Sequence, residues 1–151
     1  MAKDINRLRS LGHIIIVAGD FNLAPDPYKL DHTSGIPNGE ESRIFSSFLT
    51  QTQTVDAFRT LHPKLKAYSH SSEAHPNSES RIDHILIDKK IIKLLRGARI
   101  AKHPIYNKAT ELDHLMVIVD LNLDGLTDDR DRLLVVSNLG RDCRTNSAVA
   151  M

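Results

Sequence analysis

Five residues in three short strings have the types and settings needed to break a phosphate ester. Asp20 and Asn22 stand in Gly19-Asp20-Phe21-Asn22, Asp83 in Arg81-Ile82-Asp83-His84, and Asp113 and His114 in Leu112-Asp113-His114. A phosphodiester repels nucleophiles through its own oxygens, so cleavage needs an oriented water, a cation and stabilisation of a crowded transition state. A carboxylate can orient or deprotonate water, and an amide can donate to a phosphoryl oxygen without repelling it. A further carboxylate can hold a hard cation, and an imidazole can exchange a proton near neutral pH.

Each string also has a purely structural reading. Gly-Asp-Phe-Asn can be a strand-ending turn closed by Asx hydrogen bonds. Asp83 can be a strand acid on the solvent face with Arg81 as its partner, because an acid in an apolar strand is costly unless paired or exposed. An adjacent Asp and His occur often by chance. What joins the strings is that each sits in or directly beside an apolar run that reads as a strand.

The elements that must position them follow from pattern. His13 to Ala18 is a β-branched run, expected as a strand buried on both faces and ended by Gly19, with Asp20 and Asn22 sharing a face if the chain stays extended. Residues 23–38 are rich in Pro, Asp, Gly and His and are expected as a long surface loop. Asn38 and Glu41 resemble a capping box for a helix over about 40–51, with Ile44, Phe45, Phe48 and Leu49 on its buried face. Residues 55–61 suit a short helix or strand ended before Pro63. Ala67-Tyr68 suit a short strand, and 69–80 a polar loop. A second strand is expected over 82–88, helical turns over 89–95, extension over 98–103, and a third strand over 115–121.

Composition bounds the rest. A chain of 151 residues with 40% hydrophobic and 26% charged residues is that of one soluble globular domain. Lys and Arg total 20 against 19 acidic residues, a formal charge of +1, so net charge argues neither for nor against a polyanionic partner. Cys143 is the sole cysteine, which excludes an intrachain disulfide and a thiolate zinc site and favours an intracellular location, the nucleus included. The start lacks a secretory h-region, and Ile14 to Ala18 is too short to cross a bilayer. His32, His62, His70, His75 and His103 show no zinc-ligand spacing with a second strong ligand, and most of them read as exposed loop histidines. Tyr68 and Tyr106 read as core or surface residues ahead of base-stacking platforms, and Lys89, Lys90 and Lys93 as a solvated face. After Asp124 the chain turns highly charged, so 1–123 is expected to be a partial catalytic domain and 124–151 a flexible tail in which Leu133 to Val136 packs at most locally.

In order, spacing and strand context, Gly19-Asp20-Phe21-Asn22, Ser80-Arg81-Ile82-Asp83-His84-Ile85-Leu86 and Leu112-Asp113-His114 resemble the second half of the endonuclease/exonuclease/phosphatase superfamily. The likeness covers about Ile14 to Leu121. It implies an α+β fold, the C-terminal half of a four-layer α/β sandwich with mainly antiparallel sheets. It also implies that Asp20 orients or activates the attacking water and Asn22 contacts the scissile phosphate. Asp83 would hold and polarise His114, which would contact the phosphate or transfer a proton. Asp113 would help bind a divalent cation, Mg²⁺ or alternatively Mn²⁺. Leu112 replaces the usual Ser or Thr, and His84 the usual aromatic.

Relatives carry a metal-binding Glu upstream of the first motif, whereas only Met1 to Leu11 precede the corresponding strand here, so weak or no catalysis is expected from this chain alone. The resemblance thus implies Mg²⁺-dependent phosphodiester hydrolysis, with DNA as substrate and the nuclease and retrotransposon-endonuclease branches as the nearest in motif form. The alternatives are a non-catalytic remnant that binds nucleic acid or another chain through a surface exposed by truncation, and a phosphatase or sphingomyelinase relative. No membrane partner is expected.

Overall fold

The computed structural model describes residues 1–25, 30–33, 39–71, 78–102, 113–126 and 132–138. The expected capping residue Asn38, together with His75, His103, Tyr106, Leu112 and Cys143, lies outside them. In chain order the elements are α1 (Ala2–Ser10), β1 (His13–Asp20), α2 (Gly39–Gln51), β2 (Thr54–Asp56), α3 (Ala57–Leu61), β3 (His70–Ser71), β4 (Glu79–Ser80), β5 (Asp83–Asp88), β6 (Leu95–Ala101), β7 (Met116–Leu121) and β8 (Arg132–Asn138), with a 3-10 helix over Lys89–Leu94.

β1 organises the molecule. Its β-branched side chains are stiff and suit a pleated strand covered on both sides. It pairs antiparallel with β5 and parallel with β8, and β2 extends the sheet beyond β5, giving the order β2-β5-β1-β8. On one face Ile14, Ile16 and Ile87 pack with Ile91, Leu94 and Leu95, joined by Val119 and Leu121 from the antiparallel β6-β7 ribbon. On the other, Ile15, Val17 and Leu86 pack with Ile5 of α1 and Phe45 of α2. A helical layer, a mixed sheet and a ribbon thus form an α+β architecture, and each fully buried aliphatic side chain contributes roughly 1.5–3 kcal/mol.

Several elements depart from the sequence expectations. The first strand does not stop at Gly19: it runs on through Asp20, which pairs with Asp83. Gly19 takes a φ of 150°, a conformation that side chains resist. α1 had no counterpart in the sequence reading; it docks by burying Ile5, with Arg9 bridging to Asp88 at 3.0 Å. The run Leu133 to Val136 does more than pack locally, since it lies within a strand paired along β1 from His13 onward. Ile44, expected on the buried face of α2, is 48% exposed, because the contact face of α2 centres on Phe45, Phe48 and Leu49.

Candidate active site

The antiparallel register places Asp20 directly opposite Asp83 at one edge of the sheet. Cross-strand partners project to the same face, so two carboxylates meet there, an arrangement that costs energy without compensating donors or cations. Asp83 has its donors. Its Oδ2 accepts from the Ser69 hydroxyl at 2.7 Å and from His114 Nδ1 at 2.8 Å. Ser69 is fully buried, and its oxygen also meets the backbone N–H groups of Ile82 and Asp83 at 3.2 and 3.1 Å. Because a carboxylate only accepts, Nδ1 of His114 carries the proton, and a neutral ring turns its Nε2 lone pair outward.

The backbone holds this pair in place. His70 and His114 form an antiparallel bridge, the Ser71 N–H donates to Asp113 at 3.0 Å, and the Leu115 N–H donates to Ser69. Asp113 and His114 are therefore presented by the end of β7 against β3. Arg81 is not the partner of Asp83. It is buried, and it pairs with both oxygens of Asp31 at 2.6 and 3.0 Å and with Asp56 at 2.8 Å.

Asn22 departs from the extended geometry expected of it. Its φ of 50° is left-handed, and its backbone N–H donates to Asp20 Oδ1 at 2.7 Å, so the string closes as an Asx turn with the Asn22 side chain exposed. Asp20 keeps its second oxygen for other partners. Phe21 between them anchors the turn: its N–H donates to Ile82 at 2.9 Å, and its ring meets Phe45, Phe48 and His84 edge-on.

Below this edge lies a buried charged layer that was not foreseen. Asp31 and His32, expected in a surface loop, are buried, with Arg59 as well as Arg81 bonded to Asp31. His84 Nε2 donates to the Leu23 carbonyl at 2.9 Å, while its Nδ1 lies 3.0 Å from Arg81 and 3.1 Å from Asp56. A neutral ring accepts from Arg81 through Nδ1 and a charged one donates to Asp56; both leave Asp56 beside the Arg81 guanidinium. Burial pushes the Asp56 carboxyl up, but the His84 contact and the Arg81 charge outweigh it and hold the group well below the usual carboxylate range. Burial likewise works against the Arg81 charge, and Asp56 and Asp31 overcome it, so the guanidinium pKa is raised.

His70, expected as an exposed loop histidine, stands beside the edge residues. Its Nε2 is 3.6 Å from Asp113 Oδ2, and His114 Nε2 is 4.0 Å from Asp113 Oδ1. One ligand atom from each of His70, Asp113 and His114 lies within 4.8 Å of the others, so the three could hold a divalent ion. Mg²⁺ favours oxygen ligands in near-octahedral geometry, and two imidazole nitrogens with one carboxylate do not provide them. The Mg²⁺ expectation fits this donor set poorly.

Solved structures share the fold of this chain. NExo from Neisseria, a 3' phosphatase bound to product DNA hairpin, aligns at a TM-score of 0.61 with 24% identity over 79% of this chain. At this level of identity the likeness is one of fold alone, an α+β architecture shared with that structure. A second structure, the 3'-5' exonuclease NExo from Neisseria meningitidis, gives a TM-score of 0.60 with 24% identity, again over 79% of this chain. The AP endonuclease LMAP from Leishmania major gives 0.58 with 21% identity over 71%. The chain spans 49% of the length of each NExo chain and 34% of LMAP. No protein-family model matches the sequence. Ser69, His70, Asp31 and Asp56 are the residues that sequence reasoning missed, and their roles arise from contacts across as many as 50 positions, to which local pattern is blind.

Proposed function

We propose that this chain carries the water-orienting and phosphate-facing side of a site that hydrolyses phosphodiesters in DNA. The observation that supports this most is the Asp83–His114 pair, fixed by Ser69 at the sheet edge where Asp20 meets Asp83. Asp83 holds His114 with Nδ1–H inward, leaving Nε2 to take up a proton or, once protonated, to donate to a phosphoryl oxygen. Asp20, with one oxygen engaged by the Asn22 N–H, orients the attacking water and accepts its proton. The exposed Asn22 amide donates to the phosphate without adding negative charge. Asp113 would supply an oxygen to a divalent ion, which would add positive charge beside the phosphate. Attack of water on phosphorus and loss of the ester oxygen leave a hydroxyl and a phosphate monoester.

The choice of DNA draws on the nature of the structural neighbours, one of which is bound to a DNA hairpin. The test is nicking of supercoiled plasmid by the purified chain, with Mg²⁺ or Mn²⁺ supplied. Weak nicking that disappears in Asp20→Ala and in His114→Ala is the expected result. Equal nicking by both variants would assign the activity to a contaminant. Hydrolysis of inositol phosphates or sphingomyelin with DNA left intact would move the substrate to small phosphate esters or lipids.

A further inference from the structure

We propose that His70, Asp113 and His114 form a binding site for a borderline transition-metal ion, with Zn²⁺ as the representative ion. Two imidazole nitrogens and one carboxylate oxygen are a donor set preferred by Zn²⁺ and its neighbours over Mg²⁺. The spacing suits it. Zinc bonds of about 2.0–2.1 Å in tetrahedral array set ligand atoms roughly 3.3 Å apart. His70 Nε2 is 3.6 Å from Asp113 Oδ2 and His114 Nε2 is 4.0 Å from Asp113 Oδ1, and one ligand atom from each residue lies within 4.8 Å of the others, so the side chains would draw together around an ion.

The surroundings are built as metal-bound histidines require. Such a histidine usually donates its other ring N–H to an outer partner that fixes the tautomer and orientation. His114 Nδ1 does so to Asp83 at 2.8 Å, and His70 Nδ1 faces the Ser80 hydroxyl at 3.5 Å. Both rings therefore turn Nε2 toward the same carboxylate. The His70–His114 bridge and the Ser71 N–H bond to Asp113 hold all three residues on backbone that is already paired. Asp113 is 55% exposed, which gives the ion an entry path and leaves a fourth position for water. Binding at this site does not depend on the hydrolytic reading, although an ion there would occupy the His114 Nε2 used in it.

The experiment is titration of the tag-free chain with Zn²⁺ in competition with a fluorescent chelator, in excess Mg²⁺. One Zn²⁺ per chain is expected, undisturbed by Mg²⁺. His70→Ala should weaken it by more than the roughly 10- to 100-fold loss expected when Asp83→Asn removes only an outer hydrogen bond. Unchanged affinity in His70→Ala overturns the site. A reading free of variants comes from histidine ring NMR signals of the unaltered chain. Zn²⁺ should shift those of His70 and His114, and shifts confined to other histidines overturn the proposal.

Discussion

At the scale of single residues, the site depends on one hydroxyl that no motif marks. Ser69 donates to Asp83 while its oxygen meets two backbone N–H groups, so the carboxylate is fixed before any substrate arrives. Ser69→Ala leaves those buried groups short of a partner and should cost about 1–3 kcal/mol, read as a lower urea midpoint. Asp83→Asn keeps the shape but no longer favours the inward Nδ1–H of His114. On the proposed chemistry, the nicking rate should fall by on the order of 10²–10⁴-fold with little change in melting temperature. Asp20, Asp83 and His114 stood out in the sequence as candidates because each combines a chemically distinctive side chain with a place in or beside an expected strand. Ser69 was not, since serine in a polar loop is ordinary and only the fold brings it beneath Asp83.

At the scale of elements, two strands set the geometry of the edge. β1 and β5 place Asp20 opposite Asp83 through a register fixed further along by Ile16 with Ile87 and Val17 with Leu86. A one-residue slip would turn each of those side chains to the wrong face, so burial enforces the register. Leu86 is fully buried between the sheet and the helices. Leu86→Ala should destabilise by about 2–5 kcal/mol in equilibrium unfolding while leaving the Asp83 and His114 contacts intact. The β1, α2, β5 and β7 segments were readable from periodicity. β8 was not, because a short apolar run beside many charges becomes a strand only when β1 offers an unpaired edge for it.

At the scale of the whole molecule, Arg81 ties distant parts together: the 30–33 segment through Asp31, the start of α3 through Asp56, and β5 through His84. Removing a buried partner leaves its counter-charges stranded. Arg81→Met should therefore cost about 3–5 kcal/mol, measured by denaturant unfolding near neutral pH. The same cluster shapes acid stability. Asp56 has a folded pKa below its ordinary value of 3.8, so its contribution is complete above that value and is lost as pH falls through it toward the lower folded pKa. Urea midpoints of the unaltered chain should decline across that acid range. Asp56→Asn, which keeps an acceptor for the Arg59 N–H at the start of α3, should decline less steeply.

By itself, the sequence determined the β-branched strand, the helix after it, the second motif strand and the three strings of acid, amide and imidazole residues, because periodicity and residue chemistry are local properties. The tertiary structure alone decided which of these meet. It paired Asp20 with Asp83, gave Arg81 to Asp31 and Asp56, closed Asn22 into a left-handed turn, and brought His70 to Asp113 and His114. Those outcomes depend on strand register and on the cost of burying unpaired charge, both settled between segments far apart in the chain.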